Sequence, residues 1–430
     1  VQHSQKRITP RLDVERVQLP NGLVLLLSEN HSIPSVSINA IVRAGSRFEA
    51  DDKAGLASLV GALLDAGTVS RTSQEIAETI EAAGGQLGTF GDYQSCGAVV
   101  RLLSQDVGLG LDVASDLLMN ATFPDDKVRQ DIDRRVAQLR ARLDVPRTQA
   151  SDVFNEIVFK GSPQHRPPMG YEETVKVLTR ADVEGFYRRY YTPENTLLAI
   201  AGDFDRNEVK GVIEATLGKW SRSSELPTPQ VPLPGRQTSP IEKFVAATKE
   251  QVNIIIGHLG IERKNPDYYD LLVMDTILGS SPGFTSRIPR ILRDEQGLAY
   301  STFSNVTSSA GLDPGRFIAY IGTAPENLDR AISGLRGEIS RIVEGGVTSE
   351  ELEAAARYLT GSFVFHFQRN SQIADFLLEA EIYGLGFDYP EKYPELIRAV
   401  SVESVNRATR KYIDPQNLTT VVVGPVHEAA

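Results

Sequence analysis

The chain has 430 residues, 56 acidic against 45 basic side chains and a net charge of −11, with 41% hydrophobic and 23% charged residues. That length calls for two or more domains, the composition is that of an ordinary globular protein, and the acidic balance argues against the basic face of a nucleic-acid binder. No run approaches the roughly 18 apolar residues of a membrane span, and the single cysteine, Cys96, excludes an intrachain disulfide and a thiolate metal cluster.

In chain order, residues 1–10 are polar and begin at Val1 rather than methionine. This fits a removed leader, which would place the protein in a bacterial periplasm, or a trimmed start, which leaves the cytoplasm open. Asn21-Gly22 ahead of an apolar run at 23–27, then Val36, Ile38, Ala40 and Val42 alternating with Ser37, Asn39 and Ile41, predict a strand pair with a connecting turn. Leu56, Leu59, Val60, Leu63 and Leu64 have the spacing of an amphipathic helix. Thr72-Ser73-Gln74-Glu75 is a capping box whose helix stops at Gly84-Gly85. Cys96 lies in an apolar run and reads as a small buried residue.

Residues 183–202 carry Val183, Tyr190, Pro193, Asn195 and Gly202, and each recurs 222 residues later as Val405, Tyr412, Pro415, Asn417 and Gly424. Each copy reads as a helix, a proline-marked turn and a buried strand ending at glycine, so the chain is a duplication. Between the copies, Pro227, Pro229, Pro232, Pro234 and Pro240 mark a semi-rigid extended linker, because proline denies helix and sheet a backbone donor. Thr348-Ser349-Glu350-Glu351 opens a further helix. The expected fold is α+β, with two homologous sheet-plus-helix domains at 1–220 and 241–430 joined by a Pro-rich linker at 221–240.

The six histidines, His3, His31, His165, His258, His366 and His427, include no two within helical reach of each other. His258, in the strand-like Ile254-Ile255-Ile256-Gly257-His258, reads as a hydrogen-bonded core or rim histidine, and His165 as a loop residue.

Asn21-Gly22-Leu23, Gly45-Ser46-Arg47-Phe48-Glu49, Gly55-Leu56-Ala57, Gly67-Thr68, His165-Arg166-Pro167-Pro168-Met169-Gly170, Tyr191-Thr192-Pro193-Glu194-Asn195 and residues 293–300 occur in that order. On these segments the chain resembles, over nearly its whole length, the insulinase/pitrilysin/mitochondrial-processing-peptidase family of metallopeptidases. The resemblance implies a processing-peptidase-like metallohydrolase fold. In that family H-x-x-E-H on one helix supplies two zinc histidines and a general-base glutamate. The matching positions here are Ser58, Gly61 and Ala62, and the family's distal glutamate falls within Gln138-Leu139-Arg140. None of these is a ligand or base. Ser58 lacks the histidine and the elbow glycines of a serine nucleophile and reads as a helix-surface serine.

Arg293 and Tyr300, in Leu292-Arg293-Asp294-Glu295-Gln296-Gly297-Leu298-Ala299-Tyr300, are similar to the family's Arg/Tyr motif. The resemblance implies that they donate to a substrate backbone or tetrahedral oxyanion at a zinc centre. Taken alone, such an arginine is a solvated charge at a helix end and such a tyrosine is packing. The turn Gly279-Ser280-Ser281-Pro282-Gly283 lacks the long glycine-rich loop of mitochondrial α subunits, and Arg287 beyond it is a weaker candidate for a chamber wall.

What the resemblance implies is a non-catalytic subunit, inactive alone, of a heterodimeric zinc peptidase. A homologous partner carrying H-x-x-E-H would hold the zinc, and a peptide or unfolded polypeptide would be the substrate. The alternatives are a non-enzymatic scaffold, as in respiratory-complex core subunits of similar sequence, and a peptide-binding chamber. An independent zinc peptidase is disfavoured by the missing ligands.

Overall fold

The computed structural model describes residues 10–223, 231–281 and 286–425. Residues 224–230 of the expected linker, residues 282–285 of the glycine-containing turn, His3 and His427 lie outside them.

The strands are β1 (Val14–Gln18), β2 (Val24–Glu29), β3 (Ser35–Val42), β4 (Gln86–Gly91), β5 (Cys96–Leu103), β6 (Thr196–Gly202), β7 (Ile241–Ala246), β8 (Val252–Leu259), β9 (Ser301–Asn305), β10 (Arg316–Thr323) and β11 (Thr419–Gly424). The α-helices are α1 (Leu56–Ala62), α2 (Ser73–Ala82), α3 (Val107–Asn120), α4 (Asp125–Leu143), α5 (Pro146–Val158), α6 (Glu172–Val175), α7 (Arg180–Tyr190), α8 (Arg206–Ala215), α9 (Tyr268–Asp275), α10 (Leu328–Gly345), α11 (Ser349–Ser362), α12 (Asn370–Tyr383), α13 (Tyr389–Arg398) and α14 (Val402–Tyr412).

The strands form two sheets of order β1-β2-β6-β3-β5-β4 and β7-β11-β8-β10-β9. In the first, β2 runs parallel to β6, which is antiparallel to β3, and β3 and β4 are both antiparallel to β5. In the second, β7, β8, β9, β10 and β11 repeat that pattern strand for strand. The duplication read from the sequence is therefore a duplication of topology. The repeated segment is α7 followed by β6 in one copy and α14 followed by β11 in the other, both strands wholly buried. The capping boxes of Thr72 and Thr348 form as expected, and α2 ends before Gly84 at φ +65°.

One expectation is corrected. β2 and β3 are strands, but they do not pair, because β6 lies between them with hydrogen bonds to both. The Asn21-Gly22 turn, with Gly22 at φ +93°, instead closes the β1–β2 hairpin. A fully buried strand such as β6 is most stable where both edges and both faces are covered, and it arrives from far along the chain.

The compact units are not two uninterrupted halves. Among the described residues, one lies within 10–139, 167–231 and 363–391, the other within 140–166, 232–362 and 392–425. Two helices cause the interleaving. Helix α5 places Ala150, Phe154 and Val158, a stripe at i, i+4 and i+8, in a core with Ile255, Tyr320 and Val421 of the second sheet. Helix α12 lies along β3, β6 and β2 of the first sheet. Asp375 accepts from Asn39 Nδ2 at 2.6 Å, and Asn370 Nδ2 donates to the Ser35 carbonyl at 2.9 Å. Each half of the sequence thus lends one helix to the other half's sheet.

Candidate functional site

The frame around α1 is built from close backbone approaches. A Cβ at Gly45 would lie 2.3 Å from the Tyr93 carbonyl oxygen, and one at Gly170 2.1 Å from that of Ala54. Gly55 precedes the helix at φ +101°, open to few residues other than glycine. The Glu49 carboxylate, 9% exposed, accepts from the amides of Gly55 (3.1 Å) and Ala57, satisfying otherwise orphaned donors at the helix start. Beyond the helix, the buried Asp116 accepts from Thr68 Oγ1 and Ser70 Oγ, each at 2.6 Å, and from Arg71 at 2.8 Å, fixing the Gly67-Thr68 segment. The segments at 45–49, 55–57 and 67–68, with Gly170, are thus joints that hold this helix.

Ser58, Gly61 and Ala62 sit on α1 as expected, but their surroundings differ from the sequence reading. Ser58 is buried, not on the helix surface. Its Oγ accepts from Arg135 Nη1 at 2.9 Å and its carbonyl accepts from Arg135 Nη2 at 2.8 Å. Arg135 Nε donates to Asp131 at 2.6 Å, one helical turn earlier on α4, and Arg134 pairs with the same carboxylate. Within Gln138-Leu139-Arg140, Leu139 is buried with Val136 and Val175, while Gln138 and Arg140 are exposed. Gly61 meets β4 backbone to backbone: a Cβ there would lie 2.2 Å from the Phe90 carbonyl oxygen. Gly91 faces it reciprocally, its Cβ position 2.4 Å from the Ala57 oxygen.

The donor set does not fit a zinc ion. The Ser58 hydroxyl already accepts from a guanidinium, Gly61 and Ala62 offer no donor atoms, and the carboxylate at the junction is engaged by two arginines. Among the described residues there is no group of three or more His, Cys, Asp or Glu side chains arranged to hold a metal. His258, in β8, receives the Asp414 amide at Nε2 (3.0 Å) and lies 2.8 Å through Nδ1 from the Leu259 carbonyl. Its burial lowers its pKa, and it is a core histidine. His165 contacts the Ser162 carbonyl in a short turn. Arg135 and Asp131 were not singled out from sequence. The available signal was their i, i+4 spacing, which in so charged a helix reads as a solvated pair.

Arg293 and Tyr300 belong to the other unit. Residues Pro289–Glu295 form a widened helical turn that ends at Gly297, φ +63°, whose amide donates to the Arg293 carbonyl at 3.1 Å. Leu298 is then buried and its carbonyl accepts from Thr323 Oγ1 at 2.6 Å. With Leu298 held inward, Tyr300 stands just before the edge strand β9 and is 92% exposed. Arg293 Nε donates to Asp294 at 2.9 Å, and its side chain is 28% exposed. Arg287, the weaker chamber candidate, is committed within its unit. It makes a bidentate pair with Glu351 (2.7 Å each) and donates to the Gly346 carbonyl at 2.8 Å. It therefore fastens the start of the widened turn to the ends of α10 and α11.

Two units of matching strand order, the first with a buried, rigidly framed helix beside the edge strand β4, are what the resemblance to a duplicated metallopeptidase implies, and the helix that it assigns to the metal carries no ligand side chain. Comparison with known families agrees. The model of the insulinase family, peptidase family M16, matches residues 24–170, and that of the peptidase M16 inactive domain matches residues 178–359. The chain belongs to the M16 peptidase family. An uncharacterized zinc protease of Streptomyces coelicolor is 27% identical over 86% of this chain and 80% of its own length. One from Bacillus subtilis is 25% identical over 93% and 95%. The crystal structure of a peptidase M16 inactive domain from Pseudomonas fluorescens superposes with a TM-score of 0.90 at 23% identity, covering 97% of this chain and 98% of the other. A protease from Helicobacter pylori superposes at 0.88 and 18%, covering 96% and 99%. At these identities the structural likeness is one of fold.

Proposed function

We propose that this chain is the non-zinc-binding subunit of a two-subunit M16 peptidase. Its partner is a homologous chain carrying H-x-x-E-H, and its substrate is an extended or unfolded peptide. The observation that carries the proposal is the presentation of Tyr300: a tyrosine 92% exposed, seven residues after Arg293, on a turn whose conformation is fixed by Gly297 and the buried Leu298. A phenol and a guanidinium on rigid backbone are suitable donors to a substrate carbonyl or to the oxyanion formed from it. The names of the relatives point to zinc in the family, and the occupied α1–α4 junction supports a zinc held by another chain. Zinc held there would supply an activated water. This chain's contribution is to bind and orient the peptide.

The test mixes the protein with an H-x-x-E-H homologue and follows cleavage of a quenched peptide. Turnover is expected only with both chains present. Arg293→Ala combined with Tyr300→Phe should lower the rate by roughly 10²–10³-fold, the size of a lost oxyanion donor, without dissociating the complex. An unchanged rate refutes the donor role. The scaffold reading draws support from the same α1–α4 junction, where side chains already join the two helices, and predicts no turnover with any partner. A peptide-binding chamber predicts affinity without turnover.

A further inference from the structure

We infer that the Arg135–Asp131 pair takes the place of the metal in this chain: the Arg135 guanidinium is the fixed cation that joins α1 to α4, and it closes that junction to zinc. Arg135 is 5% exposed, and all three of its nitrogens donate at this joint, to Asp131 and to the hydroxyl and carbonyl of Ser58. Ser58 is the position that the framing segments assign to the first metal ligand, so the guanidinium reaches the spot where a metal–ligand bond would form. Asp131, 6% exposed, is already shared between Arg135 and Arg134 and has no charge left to offer a metal ion. Two positive centres a few ångströms apart in a partly desolvated space repel strongly, so zinc and Arg135 exclude each other. A buried pair with its donors satisfied tolerates loss of neither member, which makes the arginine a structural cross-link. The inference concerns this chain alone and holds whether or not the two-subunit reading does.

The experiment measures bound zinc by elemental analysis after dialysis, with folding monitored by circular dichroism. Ser58→His with Ala62→His places two imidazoles four residues apart on α1. With Arg135 present, this variant is expected to retain no zinc. Adding Arg135→Glu replaces the cation by a carboxylate at the atom positions facing Ser58, and zinc is then expected in stoichiometric amount. Equal retention by both variants overturns the inference, as does a folded triple variant without zinc. Two measurements decide the matter even if the triple variant does not fold. The thermal midpoint of the unaltered protein should be the same in zinc and in chelator. Arg135→Lys, which keeps the charge and loses the fork, should lower that midpoint by several degrees. A midpoint raised by micromolar zinc, or one unmoved by Arg135→Lys, refutes the cross-link.

Discussion

Replacing Gly61 by alanine should destabilise the first unit, and the geometry sets the scale. The new Cβ would stand 2.2 Å from the Phe90 carbonyl oxygen, 2.4 Å from its carbon and 2.5 Å from the Gly91 nitrogen, all backbone of β4. Carbon contacts are comfortable at roughly 3.5–4.0 Å, so helix and strand must part by more than about 1 Å. Both are held. Glu49 grips the start of α1, Arg135 grips the Ser58 carbonyl, and β4 is in register with β5 through Phe90 opposite Gly97 and Gly91 opposite Cys96. Overpacking of this kind costs about 1–3 kcal/mol, and the better helix propensity of alanine returns somewhat under 1 kcal/mol. A net loss of about 1–2 kcal/mol lowers the thermal midpoint by roughly 2–8 °C for a unit of this size. Calorimetry of Gly61→Ala measures it, with Gly185→Ala as control. Gly185 is exposed in α7 with nothing within 4 Å of its Cβ position, so that variant should be neutral or slightly stabilised. A Gly61→Ala midpoint equal to or above that of the parent refutes the backbone seam.

Phe154→Ala, deleting a fully buried ring of α5, should cost about 3–5 kcal/mol. Hydrogen exchange should show lost protection in β8 and β11 and little change in β3 and β6, although residue 154 lies in the first half of the sequence. Glu351→Gln removes the charge from the carboxylate that holds Arg287 and should cost about 1–3 kcal/mol, with faster amide exchange at residues 286–296 as the readout. Asp275, 1% exposed, accepts from the Val306 and Thr307 amides and from the Thr307 hydroxyl. Burial nonetheless outweighs these donors and pushes its pKa up to about 7. The folded protein then holds a proton that the unfolded chain has already released. This contribution to stability is complete below the ordinary carboxylate range near pH 4 and is lost as pH rises through about 7. The associated slope is at most about 1.4 kcal/mol per pH unit. Asp275→Asn should flatten the denaturation midpoint between pH 5 and pH 8, and an unchanged slope shows that Asp275 is ionised in the folded state.

Short-range physics made much of the fold legible. The capping boxes at Thr72 and Thr348, the stop at Gly84 and the hairpin glycine Gly22 depend on a few neighbouring residues, and each was present in the letters. So was the duplication, because α7–β6 and α14–β11 keep the same spacing of buried and turn-forming positions. The resemblance located α1 and the blank positions Ser58, Gly61 and Ala62, because glycines at enforced close approaches and the capping Glu49 mark that helix even without a metal. Arg287 was legible only as a weaker candidate for a chamber wall, and its pairing with Glu351 and Gly346 needed coordinates.

By itself, then, the sequence determined that there are two copies of one sheet-plus-helix unit, that H-x-x-E-H is absent, and that an arginine and a tyrosine stand seven residues apart in the second copy. The tertiary structure alone decided that α5 serves the second sheet and α12 the first, that β6 separates β2 from β3, and that Arg135 lies under Ser58. The reason is the range of the interactions. Periodicity announces that a helix has a face to bury, yet not which sheet will receive it. A charged residue in a charged helix reads as solvated until a partner 77 positions away in sequence, Ser58, is brought to its guanidinium.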